Sequence, residues 1–309
     1  MIIKRYRALA YATCIGMFLV LLAGALVTNT ESGRGCGTDW PLCNGKFVPA
    51  YTLESLIEYS HRLISGGVGL LVLATFIATL KWYRSYKEPI IYASGAGFFT
   101  VLQALLGAAA VIWPTSPAVL ALHFGISIMA FMFTMLLVMW TGRMRRGEQA
   151  DKPAAAIPVP VFYFTLAILV YSYFVIYLGA YIRHTDSSGG CIGWPLCNGE
   201  FVPDMVGATK FVFIHRVAAA ILFILIAWLT VYVRRITGAH SAMSRTAMIS
   251  FVLVVCQVFS GALLTKTISN EDWFVFTSIL HNMIISFLFG ILCDFLIRAW
   301  KWREGRNKA

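Results

Sequence analysis

Eight apolar runs, each long enough to cross a lipid bilayer, govern what this chain can fold into. A hydrocarbon core about 30 Å thick needs roughly 20 apolar residues of helix. The runs fall at about 6–28, 56–81, 90–112, 118–141, 159–182, 208–234, 244–266 and 273–299. Between them charge is scarce: 13% of the 309 residues are charged, against about 25% in a soluble domain. The formal charge of +11 would suit a nucleic-acid binder in a soluble fold. Here Lys and Arg cluster between the apolar runs and read as topology signals, so no nucleic-acid partner is expected. No cleaved signal peptide is expected either. The run from Leu9 to Val27 is long enough to span, and no small-residue cleavage site cleanly follows it.

With the N-terminus placed in the cytoplasm, 18 of the 25 basic residues fall on the inner side, including Lys152, Arg306 and Lys308. The positive-inside rule therefore predicts a multi-pass protein with both termini cytoplasmic. The polar stretch 142–158, with Gly147, Pro153 and Pro158, reads as a cytoplasmic linker. It divides the chain into a first half, 1–141, and a second half, 159–309.

The halves repeat one another. GALVTNTESGRGCGTDWPLCNGKFVP at 24–49 matches GAYIRHTDSSGGCIGWPLCNGEFVP at 179–203. His61-Arg62 matches His215-Arg216, LQALLGAAA at 102–110 matches CQVFSGALL at 256–264, and Leu122-His123 matches Leu280-His281. The offset is 154 or 155 residues throughout, widening to 158 at the last match. The expected fold is all-α: eight transmembrane helices as two tandem four-helix bundles. An even number of helices per half predicts a pseudo-twofold axis along the membrane normal.

Four of the six histidines, His61, His123, His215 and His281, occupy matching places near the outer ends of even-numbered spans. Ionisable residues inside spans are costly and usually functional. Two imidazoles at equal depth on neighbouring helices suit the axial positions of a heme iron. Zinc takes three or four ligands, and no third embedded ligand repeats. His184, read as a loop residue, and His240 have no histidine counterparts and are expected to be solvated. Arg62 and Arg216 follow a ligand candidate directly. They are read either as partners of heme propionates or as side chains snorkelling to lipid head groups. Gln103 and Gln257 also repeat within spans and read as helix–helix hydrogen-bonding residues.

Glu58 breaks the symmetry. It lies three residues before His61, on one helical face, and its counterpart is Val212. A buried carboxylate can move protons; an acid at a helix start is also favoured by the dipole alone. The missing acid at Val212 favours chemistry in the first half and a plainly bound heme in the second. The loop cysteines, Cys36 with Cys43 and Cys191 with Cys197, face an oxidising exterior and are expected to form disulfides.

These residues together resemble the heme A synthase family, bacterial membrane enzymes of cytochrome oxidase cofactor assembly, and within it the cysteine-containing kind. The resemblance rests on the two cysteine pairs, EYSHR at 58–62, LHFG at 122–125, IHR at 214–216, LHN at 280–282 and the four-plus-four repeat. It implies oxidation of a ring methyl of heme O to the formyl of heme A, by successive hydroxylation and loss of water. It implies that His61 and His123 bracket the substrate heme, with Glu58 as its acid–base group. It implies a permanent heme B on His215 and His281. It leaves the first disulfide open to a part in heme delivery or redox chemistry. Heme O synthase and oxidase assembly factors are the partners it implies, in the plasma membrane.

Two rivals come from the residues themselves. A di-heme b-type membrane electron carrier would need no catalytic acid and would stack its hemes at different depths. A quinone-linked thiol-disulfide oxidoreductase would use the outer cysteines and leave the four histidines without a task. A transporter has only the repeat in its favour.

Overall fold

The computed structural model describes residues 2–47, 51–113, 115–147, 153 and 156–305. Within them lie eight long helices. These are α1 (Ile2–Asn29), α2 (Leu53–Trp82), α3 (Lys87–Ile112), α4 (Pro117–Arg146), α5 (Val159–His184), α6 (Gly207–Thr237), α7 (Ala242–Thr267) and α8 (Glu271–Lys301). A short 3-10 turn, Ser187–Gly190, precedes α6. All eight are long and apolar enough to cross a membrane. In hydrocarbon every backbone N–H and C=O must find a partner within its own segment, which helices achieve.

Every apolar run became a helix, and several helices outrun it. The ends are polar because caps and water serve them there. Thr52, Ser241 and Asn270 each accept a hydrogen bond from a backbone N–H of the first turn, capping α2, α7 and α8. Glu271 and Asp272 sit in the first turn of α8, where the helix dipole favours them. Basic residues occupy the last turns of α2, α4, α6 and α8. The helix α4 continues to Arg146, so the expected linker begins as helix at 142–146. Of the rest of that linker, 148–152 and 154–155 lie outside the described residues, as do Arg306 and Lys308. His184 is the last residue of α5 and half-buried, rather than a solvated loop residue; His240 is exposed as expected.

The chain divides into two compact units, Met1–Thr141 and Gly142–Ala309. In the first, α1 packs on α2 through buried hydroxyl pairs. Tyr6 bonds Thr79 and Thr13 bonds Thr75, each at 2.7 Å. Such pairs satisfy polar groups while letting backbones approach. Phe131 of α4 meets Phe18 of α1, and Phe133 stacks on Phe99 of α3. In the second unit α5–α6, α6–α7, α7–α8 and α5–α8 all pack together. Ile157, 1% exposed, pairs its backbone with Trp302 and Glu304.

The second unit also buries charge. The carboxylate of Asp294, fully buried, accepts from Arg143 and from Arg298, both at 2.6 Å. Removing one partner of a buried ion pair leaves uncompensated charge. Asp294→Ala is therefore expected to lower stability by about 3–5 kcal/mol, read as a fall in thermal midpoint in detergent. An unchanged midpoint would show that water reaches the arginines.

Candidate functional site

Each of the four repeated histidines stands against a glycine of the helix before it. A methyl group added at Gly24 of α1 would lie 3.3 Å from His61 Cε1, and one at Gly107 of α3 would lie 3.4 Å from His123 Cε1. In the second unit Gly179 of α5 would place it 3.0 Å from His215 Cε1, and Gly261 of α7 would place it 3.3 Å from His281 Cε1. The glycine lets the imidazole edge lie on bare backbone, which fixes where the ring stands between the helices. Within the units, His61 and His123 lie in electrostatic reach of one another, as do His215 and His281.

The four rings are anchored differently. His281 is held at both nitrogens: Nδ1 is 2.8 Å from Ser260 Oγ and Nε2 is 2.9 Å from Gln257 Nε2. Ser260 already donates to the Gln257 carbonyl, so its oxygen accepts from Nδ1–H. The Gln257 amide then donates to Nε2. In that tautomer the Nδ1 proton is held by Ser260, and the Nε2 lone pair, the one a metal ligand would offer, is taken by the Gln257 amide. By contrast, the Nδ1 atoms of His61, His123 and His215 are buried without a hydrogen-bond partner. In the first unit Leu106 stands where Ser260 stands in the second, and Gln103 turns to Met17 Sδ at 3.8 Å.

Around His61 the first loop is clamped by charge. Glu58, 3% exposed, accepts from the Cys36 N–H at 2.8 Å through Oε2 and from Arg62 at 2.5 Å through Oε1. Arg62 also donates to the carbonyls of Asp39 and Leu42. Arg216 does the same in the second unit, donating to the carbonyls of Cys191 and Leu196 and to Thr265 Oγ. Where Glu58 would stand, Val212 instead packs in an apolar cluster with Ile182, Cys191 and Cys197. Both cysteine pairs are disulfide-bonded, Cys36–Cys43 and Cys191–Cys197. The two loops share a left-handed asparagine after the second cysteine, Asn44 and Asn198. Each also has a bridge from that cysteine, to Lys46 and Glu200.

Reasoning from sequence missed the four glycines, Ser260 and the bond from Cys36 to Glu58. The glycines were within reach, because Gly24 and Gly179 open one repeated block and Gly107 and Gly261 lie in another.

The donor set fits an iron porphyrin better than a bare metal ion. Nitrogen ligands come in pairs, with buried unbonded ring nitrogens and flat glycine faces beside them. Among the described residues no three or more of His, Cys, Asp and Glu gather to hold a metal ion directly.

Fold and site thus define an eight-helix membrane protein with two repeat-related, half-buried histidine pairs among its spans. Its relatives are known. The family model of the COX15-CtaA cytochrome oxidase assembly proteins matches residues 7–56 and 50–293, and the chain belongs to that family. A heme A synthase of Bacillus licheniformis is 39% identical over 307 residues, covering 99% of both chains. Heme A synthases of Symbiobacterium thermophilum and Halalkalibacterium halodurans are each 38% identical, covering 94% and 96% of both chains respectively.

Proposed function

We propose that this chain makes heme A by oxidising a ring methyl group of heme O to a formyl group. The observation that carries the reading is the pair of unequal histidine sites. One holds a ring fixed at both nitrogens, His281 by Ser260 and Gln257, beside His215 with its bare Nδ1. The other has unanchored rings at His61 and His123 and a buried carboxylate one turn away. A substrate that must enter and leave suits the looser site. Near-full-length relatives with the heme A synthase name support the activity.

In the first half, residues 1–141, His61 and His123 hold heme O. In each of two successive hydroxylations the methyl carbon gains an oxygen atom and gives up two electrons to an external acceptor, and the resulting gem-diol loses water to give the formyl of heme A. Glu58 is the group that takes up and passes on protons there, its position fixed by Arg62 and the Cys36 N–H. In the second half, residues 159–309, His215 and His281 are the ligands of heme B. Bound there, heme B supplies one-electron redox chemistry to the site. Arg62 and Arg216 act by holding the disulfide loops over the helix ends, where their free donors can also meet propionates. The protein lies in the plasma membrane with both termini cytoplasmic; the last turns of α2, α4, α6 and α8 carry eight Lys and Arg against two in those of α5 and α7, which supports this orientation. Heme O synthase and oxidase assembly factors are its expected partners.

The test is to purify the full chain in detergent, extract its porphyrins and identify them by chromatography and mass. Heme B with traces of heme O or heme A is expected; heme B alone, in strict amount, would favour an electron carrier. A second measurement reads the glycine seats. Gly179→Ala forces His215 aside by a few tenths of an ångström. It is expected to shift the low-spin electron paramagnetic resonance of the second-half heme. An unshifted signal would remove His215 from the ligand set.

A further inference from the structure

Between α1 and α2 the first unit carries an open apolar groove of about 240 Å³, lined by Ala23, Leu26, Leu56, Ile57, Ser60 and Ile64. His61, the proposed substrate ligand, is not among the lining residues, but they flank it and its seat on both helices. Gly24, the seat of His61, lies between lining residues of α1, and Ser60 and Ile64 flank His61 on α2. The Ser60 hydroxyl is the one polar side chain among the lining residues, and it is exposed.

The repeat supplies its own comparison. The matching positions of the second half are Leu178, Tyr181, Lys210, Phe211, Ile214 and Ala218. There Tyr181 meets Phe211 edge-on at 5.5 Å, and Lys210 lies 4.9 Å over the Phe211 ring. Leu178 and Phe211 pack further onto the Cys191–Cys197 cluster. Aromatic side chains therefore occupy beside His215 the place that is an open groove beside His61.

The chemistry of the two porphyrins differs in the same way. Heme O carries a long isoprenoid chain on its ring edge, and heme B does not. An apolar chain attached to a ring held at His61 needs an apolar channel beginning at that ring. We infer that the α1–α2 groove receives the isoprenoid chain of the substrate porphyrin, and that Leu26, Ile57 and Ser60 determine the preference for prenylated heme. The inference rests on the reading of His61 and His123 as the heme O site.

The test transplants the second-half filling into the first. Full-length protein with its second-half heme in place is titrated with heme O and with heme B, following the Soret difference spectrum. Wild type is expected to bind heme O at least about tenfold more tightly than heme B, the worth of burying a few methylenes. The double variant Leu26→Tyr with Ile57→Phe is expected to lose that preference while binding heme B as before. The second-half Soret band reports whether it folds; if that band is lost, the smaller change Ser60→Ile carries the test with the same expected direction. An unchanged preference in the folded variants overturns the inference, as does a change confined to the amount of co-purified phospholipid. If heme O causes no spectral change that His61→Ala removes, the functional reading fails, and this inference with it. A heme O signal that depends on His61 but is indifferent to the groove variants defeats the groove alone.

Discussion

His61→Ala and His123→Ala are each expected to end formyl production while the second-half heme stays bound. The reason lies in how separately the sites are built. His61 rests on Gly24 and His123 on Gly107, both within the first unit. His281 draws its anchors, Ser260 and Gln257, from α7 of the second unit. On the proposed reading, loss of a first-half imidazole removes a ligand of the substrate iron, while the Ser260 and Gln257 anchors of His281 remain. The Soret band should fall only by the share due to first-half heme, and extracted porphyrin should contain heme B without heme A. His215→Ala and His281→Ala should give the converse, loss of the resident heme from a protein still able to take up heme O. Should the His61 variant lose its resident heme and keep heme O, the assignment of the halves is reversed.

The spans were legible because hydrocarbon permits little else. A run such as 118–141 must be helical to satisfy its backbone, and its ends blur only where polar residues such as Arg143 and Arg146 carry the helix onward. The ligand candidates were legible because the chain is written twice. A histidine alone says little, but His61 recurring as His215 with its arginine says much. What stayed hidden depends on which helix faces which. Nothing in the spacing of Gly24 and His61, on separate helices, says that one is the seat of the other. Ser260 reads as one more small residue of a span until α8 brings His281 Nδ1 to it. Glu58 stood out through its missing counterpart, yet its hold on the Cys36 N–H comes from a loop closing back over α2, which periodicity cannot record.

That hold makes Glu58 the sharpest test of mechanism, because two roles predict different answers for one substitution. As a clamp, Glu58 needs only acceptor oxygens for the Cys36 N–H and Arg62. Glu58→Gln keeps one such oxygen but turns its NH2 toward the other donor, so a clamp alone would place the glutamine variant between wild type and the more impaired alanine variant. As a proton carrier, the carboxylate is indispensable, and the isosteric amide fails as badly as alanine. The second outcome is expected: both variants should lose about 10²-fold or more in turnover, the usual worth of a placed acid–base group. Heme O titration should show binding only slightly weakened, and less so for glutamine than for alanine, since the loop keeps part of its anchorage. The second half already shows that a loop of this shape can be held without the acid, by Val212 packed against Cys191 and Cys197. On the proposed reading, the carboxylate present only in the first half serves chemistry in addition to holding the loop. Turnover restored by glutamine would reduce Glu58 to a clamp and leave the proton path to be sought elsewhere.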